Sequence, residues 1–500
     1  MNHTFSADLS ANFALALSTA VGLLAVFVQS VRGEGLPPQP PARHMEAFRV
    51  APVFGDGMVL PRDTAVPVWG WGPAGLKVKV SIAGQGREAT IAADGTWQVR
   101  LAPMKAAKNL EMKVTGAGAI TFKRVAIADV KPLLDSVRKG LVDPRATAET
   151  VALFHNLKLY SKRNMLVGQQ DPDVTYADQK GETDIKRTTG SDPAVWGSDF
   201  MHITHAGNTG KGWFHEQELR IIGLASAAYD KGMVNIFCWH FQEPYAEKTF
   251  YAKDMDKEAR GKAFRSLLPG GEKHEWYKGK LRKVADVVGN IKGSNGTLSP
   301  VIFRPFHEFD GSWFWWGKDY CSSKEFQDCW RFTVTYLRDD LKVRNLLYAF
   351  SPDCGFNSER EYLERYSGDA YVDVVGFDDY SDFENNRVAA AAKKLSIISD
   401  YAKKHGKLAA LTEAGYRNKE VPRNLYTGTY GAALADPSLE IAFMMFWRQG
   451  KQGKSEYFVP VPGCDTADDF LQFANGPRPL FLSGLKNVYS VPASRPLAAE

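Results

Sequence analysis

Two glutamates sit where carboxylate chemistry could be done. Glu308 follows the apolar run PVIFR, which begins at Pro300, inside Arg304-Pro305-Phe306-His307-Glu308-Phe309-Asp310-Gly311-Ser312-Trp313-Phe314-Trp315-Trp316-Gly317. Glu413 follows KLAALT from Lys407, inside Leu411-Thr412-Glu413-Ala414-Gly415-Tyr416. Cleavage of a glycosidic bond needs two such groups: one held protonated to donate to the leaving oxygen, the other ionised to attack the anomeric carbon. Retention of configuration needs them about 5–5.5 Å apart, and only a fold can bring together two positions so distant in the chain. A lone Glu after a strand is usually solvated or ion-paired. Here each is set among aromatics, and Glu308 has a neighbouring histidine and a nearby arginine.

The surrounding residues extend that chemistry. His307, and His240 in Trp239-His240-Phe241-Gln242-Glu243-Pro244, could donate a ring hydrogen to a sugar hydroxyl or to the nucleophile, or could be satisfied structural histidines. Arg304 either hydrogen-bonds the nucleophile and keeps it ionised, or forms an ion pair inside the fold. Trp313, Phe314, Trp315 and Trp316 cannot all be core in one short loop, so at least one should line a cleft. Trp447, in Phe446-Trp447-Arg448, suits a sugar-stacking floor. Tyr380, closing Gly376-Phe377-Asp378-Asp379-Tyr380, is placed to hydrogen-bond the nucleophile or the sugar ring.

These residues need strands to carry them. A chain of 500 residues predicts two domains. Beyond Asp129, eight apolar segments alternate with amphipathic stretches such as EQELRIIGLASAAYDKG and SKEFQDCWRFTVTYLRDDLKV. The eight begin near Asn164, Pro193, Met233, Pro300, Asn345, Tyr371, Lys407 and Glu440. This alternation predicts a (β/α)8 TIM barrel over residues 150–492, with function on the loops after the strands. A doubly wound sheet is the rival, but no glycine-rich phosphate loop follows the first strand. Residues 48–130 instead carry short alternating segments separated by Gly and Asp-Gly turns, predicting a smaller N-terminal all-β sandwich. Residues 35–47 read as a Pro-rich linker. The apolar run Phe13–Val28 makes residues 1–34 a signal peptide or an uncleaved N-terminal anchor.

Composition narrows the classes. A formal net charge of +5 with scattered Lys and Arg argues against a nucleic-acid partner. Twelve Trp, 19 Tyr and 29 Phe suit either sugar-binding faces or a Trp-rich core. Five cysteines leave at least one unpaired in a monomer, and Cys321 and Cys329 are close enough in sequence to bridge under oxidising conditions. With no CxxC and no His/Cys cluster, zinc has no support, and the paired-carboxylate mechanism needs no cofactor.

RPFHEFDGSWFWWG resembles the acid/base signature of glycoside hydrolase family 26, chiefly β-mannanases. LTEAGY is similar to the family's nucleophile segment, IFCWHFQEP to its strand-three element, and GFDDY and FWR to its Tyr- and Trp-bearing loops. The closing stretch YFVPVPGCDTADDFLQFANGPRPLF also looks like the family's C-terminal segment. The resemblance covers roughly residues 159–489. It implies Glu308 as acid/base, Glu413 as nucleophile, and a subsite lined by His240, His307, Trp313, Tyr380 and Trp447. It further implies retaining endo-hydrolysis of β-1,4-mannosidic links in mannan, glucomannan or galactomannan, with β-1,3-xylan or mixed-linkage β-glucan as alternatives. Two departures bear on subsite preference: Trp447-Arg448-Gln449 where the family usually has Trp-Arg-Asn, and GQQD from Gly168 where GHQD is commoner. The front module, FGDGMVLPRDTAVPVWGWGPAG with DGTWQVRLAPM, is similar to the β-sandwich opening sialate O-acetylesterases. The serine motif of those enzymes is missing, so an accessory domain is expected and deacetylation is not. A non-catalytic glycan-binding protein would be expected to lack one carboxylate, and both are present. A monomer acting on a β-mannan-type polysaccharide, secreted or at the periplasm or cell surface, is the resulting expectation, with no membrane partner beyond an N-terminal anchor.

Overall fold

The computed structural model describes residues 48–50, 54–93, 95–176, 181–294, 296–417, 420–450, 458–485 and 488–491. The apolar N-terminal run and the Pro-rich linker lie outside the described residues. Among the described residues, no helix is long and apolar enough to cross a membrane.

The front region is two facing sheets. Strands β1 (Arg49–Val50), β3 (Val66–Trp71) and β6 (Thr96–Leu101) form one. Strands β2 (Val59–Pro61), β8 (Ala119–Ala128), β7 (Ala107–Thr115), β4 (Lys77–Ile82) and β5 (Gln85–Thr90) form the other, in that order. Alternation makes these strands: in β4, Val78, Val80 and Ile82 are buried while Lys77 and Lys79 face water. Trp69 and Trp97 fill the space between the sheets.

The second region is a closed barrel. Strands β9 (Met165–Gln170), β10 (Val195–Asp199), β11 (Val234–Cys238), β12 (Val301–Arg304), β13 (Leu346–Phe350), β14 (Val374–Asp379), β15 (Leu408–Ala414) and β16 (Ile441–Phe446) pair in parallel, and β9 closes on both β10 and β16. Nearly every residue in them is buried, because parallel strands covered by helices have no solvent face. Each matches one of the eight apolar segments read from sequence. Helix Ser323–Thr335 starts at a capping box, Ser322 with Glu325, and widens into a π-helical turn over Tyr336–Asp340.

Strand β17 (Pro479–Leu480) pairs with Met165 and Leu166, at the entry end of β9. Just beyond it, the carbonyl of Ser483 accepts a hydrogen bond from the Trp71 indole of the sandwich. Buried apolar residues run without a break from the sandwich (Trp69, Val80, Trp97) into the barrel interior (Leu166, Ile302, Phe443). The sandwich therefore docks at the N-terminal end of the barrel strands, opposite the loops that follow their C-terminal ends.

The expectation of a Cys321–Cys329 bridge is corrected: all five cysteines are free thiols. The helix begins immediately after Cys321, which turns its sulfur toward the carbonyl oxygens of Trp316 and Gly317, at 3.5 and 3.7 Å. Cys329 lies buried within that helix.

Inside the barrel Gly168 permits a close strand approach. A Cβ there would lie 2.6 Å from the Val195 Cβ and 3.0 Å from the Val195 carbonyl, neither of which can swing away. Gly168→Ala is therefore expected to lower unfolding free energy by about 1–3 kcal/mol through overpacking. Urea denaturation midpoints at unchanged m-value are the measurement.

Candidate active site

Strand β12 ends in Arg304 and delivers the chain to the barrel mouth. Phe306 and Glu308 both adopt the left-handed region, with φ of 53° each. Such a backbone is held only by strong local anchors. They are present: the Glu308 amide donates to the Ser351 carbonyl at the end of β13, 2.9 Å away, and the Trp316 indole donates to the His307 carbonyl at 2.7 Å. The Trp315 indole reaches the Phe241 carbonyl at 2.7 Å, and Phe314 stacks on Trp316. Phe314, Trp315 and Trp316 are thus buried pegs. Trp313 alone remains 39% exposed, lying across Gly311, where a Cβ would collide with its ring. Its indole donates to Glu308 Oε2 at 2.6 Å.

Glu413 comes from β15, and a bulge aims it. Phe377 pairs with Leu411, but the next residue, Asp378, pairs with Glu413, so Thr412 is the extra residue. Regular alternation would point Thr412 and Glu413 to opposite faces. The bulge lets both reach the mouth: Thr412 donates to Asp378 Oδ1 at 2.6 Å, and Glu413 meets Arg304 and Tyr380. The Arg304 guanidinium is buried and forks between Glu413 Oε1 and Asp378 Oδ2, the latter at 2.7 Å, with Ser351 Oγ at 3.0 Å. Tyr380 donates to Glu413 Oε2 at 3.0 Å. Carboxylate oxygens of Glu308, Asp378 and Glu413 all lie within 4.8 Å of one another.

Three carboxylates around one arginine cannot all be charged at low cost. Burial first, then Asp378, Glu413 and Asp353, push Glu308 well above the usual carboxylate range. Asp378 is also pushed up, by burial and then by Glu413 against the pull of Arg304. Hydrogen bonds decide where the proton sits. Both oxygens of Glu413 and both of Asp378 accept bonds from donors, whereas Glu308 accepts only from Trp313 among the described contacts. Glu308 is the group that keeps its proton. The guanidinium already supplies the positive charge among these oxygens that a cation would bring.

The remaining sequence-predicted residues collect around this centre. His240 is turned to Asp199 at the end of β10, its Nδ1 2.5 Å from the carboxylate, and its ring meets those of His307 at 4.6 Å and Trp447 at 5.7 Å. Cys238 adds a sulfur 3.9 Å from the same Nδ1. His307 is buried, with Nδ1 unpartnered, and burial and Arg304 hold its ring well below the usual histidine range, in the neutral form. Trp447 is half-buried at the end of β16.

Asp378, Asp199, Ser351, Thr412 and Arg417 were not singled out from sequence. Arg417 covers the Tyr380 ring at 4.6 Å and is itself held by Glu384. For Asp378 a signal existed: Val374 and Gly376 precede it at the inward period of β14.

Comparison with known proteins fits this geometry. The Glycosyl hydrolase family 26 profile matches residues 142–426. The solved structure of GH26C from Muricauda sp. MAR_2010_75 is 46% identical, covers 72% of this chain and 98% of its own, and superposes with a TM-score of 0.70. A modular endo-β-1,4-mannanase from Cellulomonas fimi is 34% identical, with coverage of 70% and 80% and a TM-score of 0.64. A mannan endo-1,4-beta-mannosidase of Bifidobacterium adolescentis is 34% identical over 363 residues, 69% of this chain and 36% of the relative. The chain spans between about a third and just over half the length of the curated relatives it matches first. With eight strands carrying paired glutamates at the mouth, and a family profile covering more than half its length, the chain belongs to glycosyl hydrolase family 26.

Proposed function

We propose that this protein is a retaining endo-β-1,4-mannanase, with Glu308 as acid/base and Glu413 as nucleophile. The observation that carries the reading is the pair itself: Glu308, with a carboxyl oxygen within 4.8 Å of one on an arginine-held Glu413. That spacing suits the short separation of retaining enzymes and leaves no room for the water an inverting mechanism inserts. In the first step Glu413 bonds to the anomeric carbon while Glu308 gives its proton to the departing oxygen. Arg304 and Tyr380 hold Glu413 aimed until then. In the second step Glu308, now a carboxylate, takes a proton from water, which attacks the anomeric carbon and releases Glu413. Mannan as substrate is carried over from the named activities of the Cellulomonas fimi and Bifidobacterium adolescentis relatives.

The front module, whose sequence resembles the sandwich of sialate O-acetylesterases, serves in this reading as a docked base. Its tryptophans Trp69, Trp71 and Trp97 are buried, and Leu76 is its one markedly exposed large apolar side chain among the described residues. A secreted or surface location would bring the enzyme to a polymeric substrate.

Reducing-end release from mannan, β-1,3-xylan and lichenan tests the substrate; preference for either of the last two would overturn the mannanase reading. Glu413→Ala is expected to lower kcat on mannan by roughly 10³-fold or more. Glu308→Ala should lose polymer cleavage yet keep the first step on aryl mannosides with good leaving groups, seen as a burst of phenol. Because catalysis needs Glu308 protonated, kcat/KM should fall as pH rises through its raised pKa. Trp313 donates to the ionised form and so lowers that pKa; Trp313→Phe is expected to move the alkaline limb to higher pH, read from pH profiles of kcat/KM.

A further inference from the structure

Among the described residues, two clusters of His, Cys, Asp or Glu bring three possible ligand atoms within 4.8 Å of one another. One is the carboxylate set of Glu308, Asp378 and Glu413, where Arg304 already supplies positive charge. The other joins Asp199, Cys238 and His240, and offers an oxygen, a sulfur and a nitrogen. No ligand motif announces it in sequence, because Asp199 stands 41 positions before His240.

Strand register builds the set. Asp199 and Cys238, the last residues of β10 and β11, are paired neighbours, and His240 follows two residues on. Asp199 Oδ1 is fixed by two backbone amides, those of Met201 at 2.8 Å and His240 at 3.1 Å. That leaves Oδ2 to meet His240 Nδ1 at 2.5 Å, with Cys238 Sγ 3.9 Å from the same nitrogen. Cys238 is buried, whereas the Asp199 and His240 side chains are each 13% exposed, so the set is reached past them from the barrel mouth.

The spacing suits a small tetrahedral ion. Bonds of about 2.0–2.3 Å to N, O and S place the donors about 3.4–3.6 Å apart. The S–N edge is already near that length. The O–N edge must open by about 1 Å, and the O–S edge is at most about 1 Å too long. Charge balances as well. Burial first, then Asp199, push the Cys238 thiol well above its usual range, so it carries its proton until a cation is present. A divalent ion expels that proton to solvent and displaces the one lying between Nδ1 and Asp199, leaving the imidazole a hydrogen on Nε2 only. Two charges on the ion then match one on the thiolate and one on the carboxylate, as burial requires. Thiolate with imidazole selects a borderline or soft cation over Mg2+ or Ca2+.

We propose that Asp199, Cys238 and His240 form a binding site for a borderline or soft divalent cation of the Zn2+ or Cd2+ type. The ion and the Asp199–His240 hydrogen bond exclude one another, since both claim the same Nδ1.

Titration of the full chain with Cd2+ tests this, read by calorimetry and by ultraviolet thiolate-to-cadmium absorption, with Mg2+ for comparison. Cd2+ should saturate with the thiolate band present, and Mg2+ should give no band and no saturable heat. Cys238→Ser is expected to remove the band. Asp199→Asn and His240→Ala should each weaken Cd2+ binding at least about tenfold, the loss seen even for groups that only orient a ligand. No band in the parent protein, or a band that survives Cys238→Ser, overturns the site. Unchanged affinity in Asp199→Asn or in His240→Ala overturns it too, since the ion would then sit on a thiol alone. Asp199→Asn keeps the size of the side chain and decides the matter should Cys238→Ser fail to fold.

Discussion

The site is organised around one buried cation. The Arg304 guanidinium, held in place by Ser351, bridges β12 to Asp378 on β14 and Glu413 on β15. Burying a guanidinium is costly unless opposite charges and hydrogen bonds replace its water, and removing one partner from such a set is worse than never having built it. Arg304 is the only cation among these groups, and Glu308 makes a third carboxylate. The proton that the charge balance requires is then steered by hydrogen-bond capacity, since Asp378 and Glu413 have their oxygens engaged by donors. In the proposed mechanism the division into acid and nucleophile follows from where donors point, although both groups are glutamates.

That electrostatic arrangement depends on two departures from regular backbone. The bulge at Thr412 puts consecutive residues of β15 on the inner side, so one strand feeds both the support of Asp378 and the Glu413 carboxylate. The left-handed residues Phe306 and Glu308 turn the β12 loop so that Glu308 faces Glu413 across the mouth. Each costs local energy. The barrel tolerates them because its other end is closed by a continuous apolar interior and the docked sandwich, which hold the strands' spacing away from the chemistry.

Much of this was legible in sequence, and the boundary has a physical form. The eight barrel strands were readable because burial on both faces leaves uninterrupted apolar runs. The loop residues were readable because polar and aromatic types gather directly after those runs. Arg304 was read with two alternatives, a nucleophile partner or an internal ion pair, and the structure contains both contacts at once. What sequence did not reveal were features defined by pairing between distant strands. The bulge is a register relation between β14 and β15 and leaves no mark in either strand alone. The Asp199–His240 contact likewise joins the ends of two strands with no shared motif. The Cys321–Cys329 expectation failed for a local reason: proximity in sequence said nothing of the helix that starts between them.

The aromatic loop shows why composition alone misleads about sugar binding. A stretch rich in tryptophan invites reading as a stacking surface, yet Trp315 and Trp316 are buried and spend their indole N–H groups on the carbonyls of Phe241 and His307. An indole combines a large apolar body with one donor, which suits it to pin a loop whose carbonyls would otherwise be buried unpaired. The loop needs such pins because its backbone is strained at Glu308, and in the proposed mechanism the position of that carboxyl decides whether a proton can reach the departing oxygen. Most of the aromatic side chains of this loop therefore serve to fix the Glu308 carboxyl. In the mannanase reading, contact with sugar falls to the few rings that the pins leave at the surface.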